Sequence, residues 1–312
     1  MSPWQSRTVP LKFQVGDWTL FSVPLQLQVT SVELLDETPP VADPQPPAAD
    51  LPTGCRGFLI RGLPVAAALP KLVGSGRFLR YAPLQYDHCY IDLQGSFEDY
   101  RAKFSSKTRS TITRKVKKFA EHCGGEIRWR TYKNPDEVRE FLALARQVSA
   151  LSYQERLLGV GIPDNAAFAE QAEALARQDR LRAYLLFHGE RPVAYLYCPV
   201  NEGVLVYAYL GYDPGFMQWS VGTILQWLAL EQIFAEGRFR LFDFTEGQSD
   251  HKRLFSTHQR HCAHVFFVRR TVWTRLLLTA HDGLDRGSAL LGRSLERWGW
   301  KARIKRLIRF SR

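Results

Sequence analysis

No apolar run in this chain approaches the roughly twenty residues that a membrane-spanning helix needs, and no apolar h-region follows Met1. A membrane span and a secretory leader are therefore not expected. The five cysteines, Cys55, Cys89, Cys123, Cys198 and Cys262, are scattered, odd in number and form no CxxC pair. That spacing argues against a disulfide framework and suits a reduced, cytoplasmic protein, at most peripheral at the inner face of a membrane. Also missing are GxSxG and GxxxxGK followed by Ser or Thr, so neither a hydrolase nor a nucleoside triphosphatase has a signature here. Gly159-Val160-Gly161 places Asp164 where a dinucleotide fingerprint needs its third glycine, and no strand precedes it. His251, His258, His261, Cys262 and His264 crowd together but lack a second pair at structural zinc spacing. Neighbours along a strand also point to opposite faces, so no metal is expected.

What is present is a chain of 312 residues, 45% hydrophobic and 12% aromatic, which excludes wholesale disorder and allows two domains or one with a large extension. The net charge of +11 is local. The stretch 101–118 holds eight basic residues and 297–312 holds seven, neither with an acid; outside them 27 basic residues face 31 acidic ones. Each basic stretch would suit phosphate groups on CoA, nucleic acid or lipid, and each would equally suit a solvated helix face.

Proline density from Pro39 to Pro52 predicts a loop. Alternation over Leu11–Thr30 predicts strand, as do Gly57–Leu63, Arg77–Tyr81 and His88–Leu93. A basic helix over Ser96–His122 is stopped by Gly124-Gly125. The order then becomes regular. Strand Glu126–Tyr132, helices Pro135–Ser149 and Asn165–Arg177, and a hairpin of Leu181–Phe187 with Pro192–Pro199 lead to strand Val204–Leu210. Helix Gly222–Ala235, strand Arg238–Phe244, short helix Ser249–Ser256 and strand Cys262–Val268 complete it. The tail Trp298–Arg312 places Trp300, Ile304, Leu307 and Ile308 on one helical face among basic residues, which suits an anionic membrane surface or a helix packed on the domain.

Chemistry concentrates in 204–256. A strand runs into a Gly/Pro loop, and Ser220-Val221-Gly222-Thr223 opens an apolar helix. A helix N-terminus offers unpaired N–H groups and the positive end of a dipole, a site for pyrophosphate. Gly222 would let a phosphate approach the backbone, with Ser220 and Thr223 as donors; simple N-capping explains the same residues without a ligand.

The run GYDPGFMQWSVGTILQWLALEQIFAEGRFRLFDFTEGQSDHKRLF resembles the GNAT superfamily in its FemAB-like and CelD-like (cellulose or exopolysaccharide biosynthesis) branch, and FSSKTRSTITRKVKKFAEHCGG resembles the basic helix that precedes the core there. The likeness spans about 96–270 and departs in two places: Val221 stands where the branch has Pro, and His251 where it has Tyr. It implies a mixed α/β (α+β) acyl-CoA N-acyltransferase fold, expected as a β-rich region 1–130 ending in the basic helix, a GNAT core 131–270 and a helical basic tail 271–312. Whether the N-terminal region is a degenerate second GNAT unit stays open.

The resemblance further implies that the fourth core strand splays from the fifth. Tyr209, Leu210 and Gly211 would then lie beside pantetheine, Ser220, Val221, Gly222 and Thr223 at pyrophosphate, with Lys252 near phosphate or developing negative charge. Asp243 and Glu246 are candidate bases, and His251 or Tyr209 the candidate acid. Tyr153, Arg156 and Arg109 are candidate acceptor contacts. The expected activity is transfer of an acyl group from acetyl-CoA or another acyl-CoA to an amine, without a metal. The acceptor would be a small molecule or a glycan precursor of the cell envelope. The rivals are an aminoacyl-tRNA-dependent FemAB-type transferase, the one case calling for nucleic acid, and a non-catalytic GNAT scaffold at the membrane.

Overall fold

The computed structural model describes residues 2–16, 18–151, 161–247 and 249–297. It is a mixed α/β protein of two compact units, Met1–Asp87 with Arg260–Arg312, and His88–Gln259. The boundary falls inside two strands, so it differs from divisions near 130 and 270. Contacts between residues far apart in sequence set it, and these place the basic helix with the second unit.

In the first unit, β1 (Gln5–Val15) and β2 (Trp18–Ser31) form an antiparallel hairpin out of what alternation alone presents as a single stretch. β2 runs parallel to β3 (Gly57–Pro64), which pairs antiparallel with β12 (His258–Arg269). The two predicted strands Arg77–Tyr81 and His88–Leu93 are one long strand, β5 (Phe78–Asp92), with β4 (Leu72–Ser75) beside it. Helix α7 (Val272–Arg297) lies on β1, where Leu278 joins Leu11, Phe13 and Leu25 in the core. The proline-rich segment is coil, tied to the sheet by a bridge from Val41 to Val65 and by Arg80 of β5, which pairs with Asp43 and donates to Pro44 O at 3.2 Å.

In the second unit the order is the end of β5, β11 (Leu241–Asp243), β9 (Val204–Val206), β8 (Arg191–Asn201), β7 (Leu181–His188) and β6 (Trp129–Tyr132). The predicted basic helix is two: α1 (Phe97–Ala102), opened by a Ser96–Asp99 capping box, and α2 (Ser106–His122), opened by Ser105. α3 (Pro135–Leu151) and α4 (Ala166–Arg177), the latter capped by Asn165 as expected, cover one sheet face. α1, α2 and α5 (Val221–Glu236) cover the other. Both faces of β7 and β8 are thus buried, which is why their sequences read as near-continuous apolar runs. Among the described residues no helix is long and apolar enough to cross a membrane. The tail 298–312, Tyr153 and Arg156 lie outside the described residues.

Candidate active site

The site begins where a strand divides. β8 carries β9 at one end of its edge, through Val200 and Asn201, and β10 (Tyr209–Tyr212) at the other, through Ala194 to Tyr197. β9 also pairs parallel with β11 as far as Val206 and Asp243, and the last bond runs from Tyr207 N to Asp243 O at 2.8 Å. There the two strands part. The chain after Asp243 turns to β5, with Phe244 N bonding Cys89 O and Thr245 at φ +59°, while β10 follows β8. Among the described strands β10 pairs with β8 alone, so its other edge faces the opening.

Side chains along β10 alternate. Leu210 and Tyr212 line a cavity of about 340 Å³. Tyr209 and Gly211 face away: the Tyr209 ring packs on Phe168 and Tyr197, and a Cβ on Gly211 would lie 2.3 Å from the Tyr195 ring. Tyr209 therefore sits in the α3/α4 core, away from the cavity, which corrects its reading as the candidate acid. The tyrosine on the cavity is Tyr207, in the break between β9 and β10. Burial pushes its phenol well above the ordinary range, and its hydroxyl has no hydrogen-bond partner among the described residues.

A 3-10 turn, Pro214–Trp219, leads into α5, with Asp213 accepting from Gly215 N and paired with Arg191. Ser220 adopts a left-handed conformation, φ +56°, and makes no side-chain cap. The capping explanation for Ser220 thus fails. The N–H groups of Val221, Gly222 and Thr223 have no acceptor among the described residues, and the first bonded one is Ile224, to Ser220 O at 3.1 Å. All three residues line the cavity. The need for glycine at 222 is packing against β10: a Cβ there would lie 3.3 Å from both Leu210 and Tyr212. The space beside its Cα is filled by these side chains, so close phosphate approach is not what the missing Cβ provides.

His251, on α6 (Asp250–Phe255), forms another wall. Its Nε2 donates to Gln226 Oε1 at 2.6 Å, from a glutamine wholly buried in the apolar helix α5. That bond selects the Nε2–H tautomer and leaves Nδ1 as the basic nitrogen. Burial, then the charges of Lys115 and Lys252, hold His251 below its ordinary pKa and so neutral. Gln226 Nε2 has no partner among the described residues.

The remaining candidates do not line the cavity. Asp243 Oδ1 accepts from His88 Nε2 and from Thr245 N, both at 2.6 Å. Lys252 Nζ donates to Glu246 O at 2.7 Å, and burial lowers its pKa against the opposing pull of Asp243, Cys89 and Glu246. Arg109 on α2 reaches back to Ala102 O at 3.5 Å and stays outside the cavity wall. Sequence reasoning missed His88, Tyr207 and Gln226. Of these only Gln226 left a signal, as the one amide in the apolar run of α5 before Gln232. The crowded histidines disperse, His258 stacking on Tyr90 and His261 bonding Asp87.

Residues 106–253 match the family model for the acetyltransferase (GNAT) domain. No curated protein matches the chain. Solved structures that resemble it include L-PGS from Bacillus licheniformis, at 14% identity over 72% of this chain and 71% of that one, TM-score 0.43. FemX aligns at 9% identity over 72% and 74%, TM-score 0.46. An aminoglycoside acetyltransferase from an uncultured soil metagenomic sample, in complex with sisomicin, aligns at 18% identity over 41% of this chain and 84% of that one, TM-score 0.31.

Proposed function

The chain carries an acetyltransferase (GNAT) domain, a GNAT-type acyltransferase, and on that premise we propose that it moves an acyl group from an acyl-CoA to an amine at the cavity between β10 and α5. The observation that carries this reading is the uncapped α5 N-terminus, three unpaired N–H groups beside the open edge of β10. Those groups and the helix dipole favour a pyrophosphate, and the β10 backbone edge favours an extended amide-bearing chain. The residues present fit such a thioester donor, which when bound supplies the activated acyl group. His251 Nδ1, left unprotonated and oriented by the bond to Gln226, accepts a proton from the acceptor ammonium, and the free amine attacks the thioester carbonyl. Tyr207 holds, on its unpartnered hydroxyl, a proton suited to the departing thiolate. Asp243 and Glu246 then act through structure: Asp243 fixes His88 and the turn at Thr245, and the Glu246 carbonyl anchors Lys252.

The acceptor we propose is an amine on a cell-envelope or exopolysaccharide precursor, a reading supported by the likeness of 211–255 to the CelD-like branch. One observation favours a second donor, aminoacyl-tRNA: Lys115 of the basic helix α2 lies within electrostatic reach of His251, a wall of the cavity.

The test is calorimetric titration with acetyl-CoA, longer acyl-CoAs and a charged tRNA, beside Thr223→Glu. A glutamate in the first turn of α5 favours the helix, so the fold holds, while its charge repels pyrophosphate. Micromolar acyl-CoA binding, weakened at least tenfold in the variant at unchanged melting temperature, is the expected result. Absence of acyl-CoA binding would sink the reading. Salt-sensitive tRNA binding in its place would select the second donor.

A further inference from the structure

In the first unit, three segments end side by side and each supplies arginine. Arg269 N bonds Arg56 O at 2.8 Å, and Arg270 N bonds Arg77 O at 2.9 Å. Arg77, Arg269, Arg270 and Thr271 line a cavity of about 450 Å³ in which Asp50 is the single acid. Helix α7 opens here, adding Arg275 on its first turn. None of these five guanidinium groups makes a hydrogen bond or ion pair among the described residues. The same turn presents Val272 at 79%, Leu276 at 66% and Trp273 at 46% exposure, with Arg56 lying 4.9 Å over the Trp273 ring.

An exposed aliphatic knob ringed by five unpaired arginines has one natural complement. Guanidinium groups bind phosphate in bidentate fashion, tryptophan settles at the headgroup level, and Val and Leu favour the acyl boundary beneath it. A nucleic-acid site would stack bases on aromatic rings, yet the one ring here is already covered by Arg56, and Val272 and Leu276 have nothing to offer a base. We propose that the arginine cavity and the first turn of α7 dock the protein on an anionic lipid surface, with headgroup phosphates at Arg77, Arg269 and Arg270 and with Val272, Trp273 and Leu276 in the interface. The surface shares no residue with the acyl-transfer cavity and stands whether or not that reading does.

The experiment is flotation of the full-length protein with vesicles of phosphatidylcholine, with or without about a third phosphatidylglycerol, at low and physiological salt. Binding should require the anionic lipid and weaken with salt. Arg77→Gln/Arg269→Gln/Arg270→Gln should lower partitioning about a hundredfold at low salt, at about fivefold per arginine. Val272→Ser/Leu276→Ser should lower it about tenfold at both salt levels, since apolar insertion is not screened. Both variants change exposed side chains and should melt with the wild type. Wild-type binding by the triple variant would place the attraction elsewhere, as in 297–312, and overturn the proposal. So would equal binding to pure phosphatidylcholine, or a loss in the triple variant confined to an RNA oligonucleotide.

Discussion

Replacing Gln226 by Glu puts a carboxylate where an amide oxygen now accepts from His251 Nε2 at 2.6 Å. An opposite charge that close favours the imidazolium by about 1–3 pKa units. In the wild type the shift runs the other way, because burial and then Lys115 and Lys252 disfavour the charge, and Nδ1 stays basic at neutral pH. His251 of the variant should therefore titrate above the wild-type group, which moves the acid limb up in pH. At pH 7 the basic fraction, and with it kcat/KM, falls by about tenfold for each pH unit that the limb moves past 7, and activity climbs about tenfold per pH unit until the limb levels. The assay is the pH dependence of kcat/KM for acyl-CoA and an amine, paired with a ¹⁵N NMR titration of the histidines. An acid limb at the same pH in both enzymes would refute the assignment of His251 as the base.

Gln226→Leu separates orientation from folding. The change removes one orphaned group, Gln226 Nε2, and creates another, His251 Nε2–H, so stability should move by no more than about 1 kcal/mol while activity drops. The depressed pKa also fixes a sign. The unfolded chain takes up the His251 proton at higher pH than the folded one, so this histidine's contribution is fully present above the ordinary value of 6.5 and is lost as pH falls below it.

Two further outcomes follow from contacts rather than charge balance at the base. Tyr207→Phe should lower kcat about 10- to 100-fold with KM nearly unchanged, whereas Tyr209→Phe should leave kcat within about twofold, as steady-state kinetics on both variants would show. Arg182→Ala should cost about 3–5 kcal/mol in urea denaturation, because it strands Glu236, held at 2.7 Å by a guanidinium that is itself buried. A cost below about 1 kcal/mol would mean that Glu236 escapes to water.

Local pattern decided much of this protein. The two-face burial of β7 and β8, the apolar stripes of α3 and α4, the Asn165 cap and the opening of α5 at Ser220–Thr223 are all written in period and punctuation, since each depends on neighbours within a few residues. Two features were legible only in part. Val204–Leu210 reads as one strand, but the chain breaks at Tyr207–Ala208, and such a break resets which side chains face which side. Counting by twos across it puts Tyr209 on the cavity, where Tyr207 stands. The basic helix is continuous in charge but interrupted at Lys103–Ser105, where Lys103 Nζ binds Leu254 O and Ser256 O.

The rest belonged to tertiary structure alone. His88 meets Asp243 across 155 positions, Gln226 meets His251 across 25, and the arginines at 56, 77 and 269–270 converge only because three segments end together. The sequence by itself determined which segments become helix or strand and where α5 opens, because those outcomes rest on local hydrogen bonding and side-chain period, whereas the left-handed Ser220 that leaves that opening uncapped came from the structure. Which histidine nitrogen is basic, which tyrosine reaches the cavity and which arginines stand together were decided by long-range packing, whose partners no local pattern names.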